Sequence, residues 1–335
     1  MQQLWKIYHY EIPTFIQEFA NTKPMIRLKN IGMNCGCEYT QFPNFQKCQP
    51  YSRYDHSIGV ALIIWHFTHD RIQAIAGLLH DIATPVFAHT IDFLNGDYET
   101  QESTEVDTEK MIRSCADLLA LLQKYHIDIL DVINYHIYPI ADNDSPKLSA
   151  DRLEYTLGNM LNYGFCSIND VQEYYNDLIV SYNEDGIEEL TFQTLDKAIA
   201  FSQMAIKTSR IYIADEDRFS MQALADIIRF AIDQKILTRD DLYQDEPYVI
   251  YCLCSHQSTQ EMWSTFTHYS HIQKSYQKPH SGYWLQINAK KRYIDVLVQN
   301  LGRISQLSSQ IHTAILDIVQ SDFHYYVSAT STKIV

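Results

Sequence analysis

Two short segments place acidic and basic side chains inside apolar helix patterns, where such side chains need compensation. The segment YSRYDHSIGV (51–60) has an arginine, an aspartate and a histidine where an apolar helix begins. The segment LLHDIATPVFAH (78–89) has a His-Asp pair within an apolar run. Burial of an unpaired acid is costly, so Asp81 requires either a metal ion or a strong ion pair.

A metal at this position needs ligands from several segments. His80 and Asp81 are about 100° apart around a helix, so an ion that both reach must lie beside that helix. His56 and Asp151 are the candidates for the remaining ligands. Two imidazoles and two carboxylates suit Mn, Fe, Ni, Zn or Mg rather than a soft copper site. We therefore predict one divalent metal ion per chain at His56, His80, Asp81 and Asp151, against the alternative of a purely structural polar cluster.

The segments that carry these residues have helical periodicity. Helices are predicted at 57–69, over IQAIAGLLHDI (72–82) with Asp70 as a cap, and over SADRLEYTLGNML (149–161) with Ser149 as a cap. Further helices are predicted at about 105–125, 128–137, 170–180, 191–212, 219–236 and 303–320.

The composition changes after about residue 245. Four segments rich in β-branched and aromatic residues are predicted strands: PYVIYCLCS (247–255), YWLQI (283–287), RYIDVLV (292–298) and FHYYVSA (323–329). The predicted fold is mainly α, with a helical core over residues 1–240 and a smaller α+β region over residues 241–335.

Composition excludes several classes of protein. The formal charge of −15 argues against a nucleic-acid backbone as partner, although a small phosphorylated substrate remains compatible with it. No apolar run of about 18 residues occurs, so no membrane span is expected. Seven cysteines without a C-x-x-C pair fit a reducing, cytoplasmic location.

The order of the motifs resembles the HD superfamily of metal-dependent phosphohydrolases, and within it the deoxynucleoside triphosphate triphosphohydrolase branch. The resemblance extends over residues from about 25 to 315. It rests on RLKNIG (27–32), SRYDHSIGV (52–60), LLHDIATPVFAH (78–89) and ADRLEYTLGNMLNYG (150–164), in that order. It implies an HD-domain helical core with His56, His80, Asp81 and Asp151 as metal ligands.

The resemblance also implies catalytic roles for Arg53, Asp81 and His89. Arg53 matches an arginine that contacts a substrate phosphate, a role that suits the planar guanidinium fork. Its alternative is a surface pair with Asp55. His89 matches a phosphate-facing histidine, and its alternative is a satisfied loop histidine.

Further substrate contacts are implied along one helix and beyond it. Asp151, Tyr155 and Asn159 fall at i, i+4 and i+8, which places them on one helix stripe. Tyr155 is equally well interpreted as a core residue. The full set of implied substrate-binding residues is Arg53, Arg152, Tyr155, Asn159, Lys207, Arg210 and Tyr212.

The chain departs from the family pattern in ways that bear on specificity. The family usually reads HDxGHGPFSH, whereas this chain has HDIATPVFAH, with Thr84 replacing the second histidine. Met33 replaces a glutamine of the sugar-reading pair and Asn159 its carboxylate, so we expect weak discrimination of the sugar 3′-hydroxyl. The His-Glu pair that follows in the family has no counterpart, and the candidate substitutes are Glu102, Glu105 and Glu109.

These patterns favour a metal-dependent phosphohydrolase acting on a nucleotide or related phosphate ester. Triphosphohydrolysis of a dNTP is the first candidate reaction, and monophosphatase or phosphodiesterase activity is the second. The missing His-Glu pair leaves a non-catalytic nucleotide- or metal-binding regulator as the alternative. A second metal is not expected, because His136 is interpreted as a satisfied core histidine. A homo-oligomer is expected by resemblance only.

Overall fold

The computed structural model describes residues 2–96, 99 and 107–331. The chain is mainly helical, which confirms the predicted fold class. The helices are α1 (Gln2–Tyr8), α2 (Thr14–Ala20), α3 (Lys23–Arg27), α4 (Arg53–Thr68), α5 (Arg71–Leu79), α6 (Thr90–Asn95), α7 (Thr108–Ser114), α8 (Ala116–Tyr125), α9 (Ala150–Asn162), α10 (Ile168–Asn176), α11 (Leu195–Tyr212), α12 (Asp215–Asp233), α13 (Glu246–Cys254), α14 (Gln257–Thr267), α15 (Ile304–Leu307) and α16 (Ser309–Val319). Short 3-10 helices lie at Leu28–Asn30, Cys37–Tyr39, Ile129–Asp131, Tyr135–Ile137 and Asp240–Tyr243.

The strands form two small sheets. They are β1 (Leu178–Tyr182), β2 (Glu188–Phe192), β3 (Tyr269–Ser275), β4 (Leu297–Val298), β5 (Gly302–Arg303) and β6 (Tyr326–Ser331). One sheet has the order β1-β2-β4-β5, in which only β2 and β4 are parallel. The other sheet pairs β3 with β6 in antiparallel register.

Helix α4 is the central element, because it packs against both α5 and α9. It begins with a reciprocal cap, in which the side chains of Ser52 and Asp55 accept hydrogen bonds from each other's backbone N–H. Gly59 permits the close approach to α9, since a Cβ at this position would lie 2.5 Å from Oε1 of Glu154. The three helices thereby hold the first turn of α4 beside the end of α5 and the start of α9.

The predicted caps of the other two helices are confirmed. Asp70 accepts hydrogen bonds from the backbone N–H groups of Ile72 and Gln73 at the start of α5. Ser149 accepts one from the backbone N–H of Arg152 at the start of α9. Helix α5 ends at Leu79, so the His-Asp pair lies where the helix gives way to a turn.

Several predicted elements were wrong. The segment 247–255 is helix α13 rather than a strand, because Asp245 caps it by accepting a hydrogen bond from the backbone N–H of Tyr248. Residues 178–180 and 191–192, predicted as the ends of two helices, belong to the strands of the β1–β2 hairpin instead.

The other segments were predicted with mixed success. Residues 128–137 contain 3-10 helices instead of a longer helix. In 283–287 and 292–298, only an isolated bridge at Leu285 and the two residues of β4 have strand structure. The final strand was predicted correctly, as β6.

The four-stranded sheet joins the two predicted regions of the chain. Strand β2 comes from the helical part and pairs with β4 of the C-terminal part. The division at residue 240 stays a prediction. Among the described residues, no helix combines the length and apolar character that a membrane span requires.

Candidate active site

Three elements bring the predicted metal ligands together. Nε2 of His56, on α4, lies 3.0 Å from Oδ1 of Asp151 on α9, and Nε2 of His80 lies 3.5 Å from the same oxygen. These three ligand atoms all fall within 4.8 Å of one another. Oδ2 of Asp81 lies 3.6 Å from Nε2 of His80 and 3.9 Å from that of His56.

Both histidines are oriented by a partner on the far side of the ring. Nδ1 of His56 donates to Glu154 over 2.6 Å, and Nδ1 of His80 donates to the carbonyl of Gly77 over 2.7 Å. Each Nε2 is therefore directed towards the Asp151 carboxylate. A carboxylate or carbonyl partner behind the ring is the usual arrangement of metal-binding histidines, so this donor set fits a divalent metal ion.

The electrostatics of the cluster favour positive charge. Burial lowers the pKa of His56, but hydrogen bonds to Asp151 and Glu154 outweigh it and raise that pKa to about 10. Burial raises the pKa of Asp151, yet the two histidines bring it well below its usual range. The cluster thus stabilises positive charge beside the Asp151 carboxylate. That charge is carried by protons on the histidines, or by a metal ion that displaces those protons.

Replacing Glu154 with Gln should weaken metal binding about 10- to 100-fold, because an amide orients and polarises the His56 ring less strongly than a carboxylate. Metal titration of the protein measures the change. Glu173→Gln, on an α10 side chain that is 61% exposed, is the matched control and should bind metal as the wild type does. Equal affinity in the Glu154 and Glu173 variants would contradict the orienting role.

Arg53 is buried beside the cluster. Its guanidinium lies 2.9 Å from Oδ2 of Asp81, and its side chain is only 9% exposed. The alternative of a surface pair with Asp55 is wrong, because that carboxylate caps α4. Within the described part of the chain, the buried Nε of Arg53 has no hydrogen-bond partner. This donor suits an incoming anion.

Replacing Arg53 with Lys should lower kcat/KM for the phosphorylated substrate by about tenfold to a hundredfold. The ammonium keeps the charge beside Asp81 but cannot form the planar fork. Metal content should stay at the wild-type level. Steady-state kinetics together with elemental analysis test this prediction. Unchanged kinetics would indicate that Arg53 pairs with Asp81 for structural reasons only and does not contact the substrate.

The turn after the His-Asp pair is held from two sides. Thr84, where the family has a histidine, donates from its hydroxyl to Oδ1 of Asp81 over 2.9 Å. The guanidinium of Arg27 donates to the carbonyls of Ile82 and Thr84. The threonine therefore fixes the orientation of the Asp81 carboxylate.

A cavity of about 850 Å³ opens over the cluster. His89 lines it, with Nδ1 2.9 Å from Oδ2 of Asp92, and burial lowers its pKa. Of the other predicted substrate-binding residues, the cavity wall includes Arg53, Arg152, Tyr155, Asn159 and Tyr212.

Lys207 and Arg210 are not brought to the cavity wall. Lys207 is exposed and lies over the ring of Phe165, while Arg210 is exposed near Asp317. Both are on α11, like Tyr212, but they face away from the site. A substrate role for these two cations has no support in this arrangement.

Asn159 and Arg152 differ in how many of their polar atoms already have hydrogen-bond partners within the protein. The amide nitrogen of Asn159 donates to the hydroxyl of Tyr212 over 2.8 Å, while its buried Oδ1 has no partner among the described residues. Arg152 donates to Asn143 and to the Lys147 carbonyl. Asn159 therefore retains capacity to bind a ligand donor, whereas Arg152 is largely committed within the protein.

Some residues of the site were missed in the sequence. Glu154, behind His56, lies within the motif at 150–164, whereas Asp217 on α12 and Lys290 and Arg292 in the C-terminal part belong to no contiguous motif. Burial raises the pKa of Asp217 to about 8, although Arg292 opposes the shift. The only available signal for Glu154 was its i, i+3 spacing from Asp151 on the same helix.

The candidates for the missing His-Glu pair divide into two groups. Glu102 and Glu105 lie outside the described residues. Glu109 is half-exposed and pairs with Arg113 on α7. His136 was wrongly interpreted as a core histidine, since it is 48% exposed and lines the cavity, with Asp142 as partner.

Comparisons with known proteins identify the domain. The model of the HD domain family matches residues 53–159, which span α4 through most of α9. The uncharacterized protein YdhJ of Bacillus subtilis is 23% identical over 245 residues, 72% of this chain and 71% of its own. The metal-dependent phosphohydrolase cns2 of Cordyceps militaris is 26% identical over 177 residues, 52% of this chain and 49% of its own.

Two further likenesses agree with these. A deoxynucleoside triphosphate triphosphohydrolase SAMHD1 homolog of Dictyostelium discoideum is 30% identical over 100 residues, 25% of this chain and 18% of its own. The crystal structure of a hypothetical protein from Aquifex aeolicus superposes with a TM-score of 0.64 at 15% identity, covering 96% of this chain and 93% of that one. The structural likeness shows a shared fold. The domain match shows that residues 53–159 form an HD domain, and the relatives support the resemblance of this chain to the HD superfamily of metal-dependent phosphohydrolases.

Proposed function

We propose that this protein hydrolyses a phosphate ester or anhydride of a nucleotide, with dNTP triphosphohydrolysis as the first candidate reaction. The observation that carries the proposal is the cavity of about 850 Å³, whose wall combines the metal-ligand cluster with Arg53, Arg152 and Arg292. This combination of a cation site and guanidinium groups matches the charge of a small phosphorylated molecule. The volume is in the range of small-molecule sites.

The metal would be held by His56, His80, Asp81 and Asp151. When bound, it supplies Lewis-acid polarisation of phosphoryl oxygens and a more acidic water. The Arg53 guanidinium holds Asp81 and offers its buried Nε to a phosphate oxygen. His89, on the same wall, is held by Asp92 and would complete the set of groups that face the phosphate.

Two tyrosines and an asparagine of the cavity wall suit the nucleoside. Tyr155 and Tyr212 contact each other edge to face with ring centroids 6.3 Å apart, and the buried Oδ1 of Asn159 has no hydrogen-bond partner among the described residues. The name of the Dictyostelium relative supports a dNTP as substrate, although the match covers 18% of that protein. We expect weak discrimination of the 3′-hydroxyl, because Met33 and the neutral Asn159 amide line the cavity. Assembly into a homo-oligomer stays a prediction.

A product screen tests the proposal. The Mn²⁺-loaded protein is incubated with dNTPs, nucleoside monophosphates and cyclic nucleotides, and the products are separated by chromatography. Nucleoside plus triphosphate would identify a triphosphohydrolase, and nucleoside plus phosphate a monophosphatase. Opening of a cyclic nucleotide would identify a phosphodiesterase. Binding without turnover across the whole panel would contradict the proposal and favour the regulator.

A further inference from the structure

Behind the metal cluster, one oxygen of a buried carboxylate accepts hydrogen bonds from two side chains. Nδ1 of His56 donates to Oε2 of Glu154 over 2.6 Å, and the hydroxyl of Tyr51 donates to the same oxygen. The other carboxylate oxygen, Oε1, is buried and has no hydrogen-bond partner among the described residues. The two hydrogen bonds that hold this carboxylate therefore meet at one atom, and one of them comes from a predicted metal ligand.

Tyr51 is placed beside this carboxylate by the segment that leads into α4. Its carbonyl accepts from the backbone N–H of Met33 over 2.9 Å, and the backbone N–H of Arg53 donates to the carbonyl of Ile31 over 2.8 Å. These two bonds tie both sides of the Ser52 cap to a neighbouring backbone segment. The side chain of Tyr51 is buried, so both the backbone and the surrounding protein fix its hydroxyl.

A glycine on α9 makes room for the tyrosine. A Cβ at Gly158 would lie 2.5 Å from the hydroxyl oxygen of Tyr51 and 2.7 Å from the ring carbon that carries it. Glu154 lies four residues before Gly158 on the same helix, so the two positions are neighbours on its surface. The tyrosine therefore packs directly on α9, one turn from the carboxylate to which it donates.

A donor to a buried carboxylate limits where that carboxylate can lie. Burial of a charge is costly unless the charge is hydrogen-bonded, and hydrogen bonds to a charged acceptor are stronger than those between neutral groups. Oε2 of Glu154 is also the atom that orients the His56 ring. A hydroxyl that fixes this oxygen therefore also fixes the direction in which Nε2 of His56 points.

We propose that Tyr51 is a positioning residue of the metal site, which holds Glu154 so that Glu154 directs His56 towards the ion. This inference rests on the metal-dependent function proposed above. Tyr51 is not among the described residues that line the cavity. Its effect on the metal is thus separate from any contact with the substrate.

Replacing Tyr51 with Phe removes the hydroxyl and keeps the ring. Mn²⁺ affinity should fall about three- to tenfold, less than in Glu154→Gln, because the hydroxyl lies one contact further from the metal. Titration of the metal-free protein with Mn²⁺ measures the change. The matched control is Tyr39→Phe, since the hydroxyl of Tyr39 donates over 2.7 Å to the buried Glu246, outside the metal cluster. This control should bind Mn²⁺ as the wild type does.

Two further variants show whether Tyr51 acts through Glu154. In a Glu154→Gln background, Tyr51→Phe should change Mn²⁺ affinity by less than about twofold, because the carboxylate that it holds is already gone. Gly158→Ala keeps the tyrosine hydroxyl but displaces it, and should weaken Mn²⁺ binding to a similar extent as Tyr51→Phe. Circular dichroism of the metal-free proteins shows which variants are folded.

The possible outcomes separate this inference from the proposed function. Wild-type Mn²⁺ affinity in folded Tyr51→Phe or Gly158→Ala would overturn the positioning role. Equal losses in the Tyr51 and Tyr39 variants would also overturn it, and so would an undiminished effect of Tyr51→Phe in the Glu154→Gln background. A wild type that binds no divalent metal would do the same. The predicted pattern of Mn²⁺ affinities without turnover of any nucleotide would support the role of Tyr51 and contradict the proposed hydrolysis instead.

Discussion

Replacing Asp151 with Asn should remove the bound metal ion and lower nucleotide turnover by on the order of a thousandfold. Oδ1 of Asp151 is the atom that both ligand histidines face, at 3.0 and 3.5 Å. A neutral amide keeps the shape of the side chain but is a much weaker metal ligand. Elemental analysis and steady-state kinetics on the same preparation measure the two effects.

The control for this variant is Asp317→Asn, whose side chain on α16 is 65% exposed. It should retain both metal and turnover, because it changes the net charge equally without touching the cluster. Full metal content in the Asp151 variant would contradict the ligand assignment. Loss of metal with undiminished turnover would contradict metal dependence.

The second large effect concerns stability. Replacing Arg303 with Met should lower the free energy of unfolding by about 3–5 kcal/mol, because it leaves a buried carboxylate uncompensated. The guanidinium contacts both oxygens of the fully buried Glu189, at 2.6 and 2.7 Å. It also binds the half-exposed Glu184, which water can rehydrate. Denaturant unfolding followed by circular dichroism gives the change.

A double variant makes this test specific. Arg303→Met combined with Glu189→Gln should be more stable than Arg303→Met alone, since the uncompensated charge is gone. Arg229→Met, which loses a half-exposed pair with Asp226, should cost less than about 1 kcal/mol. If the double variant is no more stable than the single one, burial of the Glu189 charge is not the cause. Because Glu189 also accepts from the backbone N–H of Leu148, ahead of α9, the single variant should also weaken metal binding.

The convergence of His56, His80 and Asp151 could be predicted from the types of the residues involved. A buried acid beside a histidine needs compensation, and few other histidines and aspartates begin helices with the right spacing. The local caps at Asp70 and Ser149 could be predicted for the same reason, since each depends on a few adjacent residues. Such local signals fix where a helix begins and hence which turn carries a ligand.

The β1–β2 hairpin has a local signal in the sequence. Asp185-Gly186 is a turn dipeptide between β1 and β2, and Gly186 adopts a φ of 71° that favours glycine. The apolar residues around it also fitted a helical period. The strand predicted at 247–255 is a similar error. That prediction gave more weight to β-branched and aromatic content than to the Asp245 cap of α13 and the proline that follows the cap.

The remaining site residues could not be found from the sequence, because tertiary packing brings them together. Arg292 and Asp217 reach the cavity from segments about 75 residues apart, and neither belongs to a motif. Lys207 and Arg210 were assigned from resemblance along α11. The position of a residue around the axis of α11 decides whether its side chain faces the cavity. Tyr212 lines the cavity, whereas Lys207 and Arg210 do not.

The measurement that tests the central claim most directly is nucleotide turnover through a cycle of metal removal and return. The wild-type protein is assayed as purified, after a chelator has removed its metal, and after Mn²⁺ has been restored, with metal content determined at each stage. We predict that turnover disappears with the metal and returns with about one ion per chain. Turnover that persists in protein free of metal would contradict the account, and so would restored metal without turnover of any nucleotide in the panel.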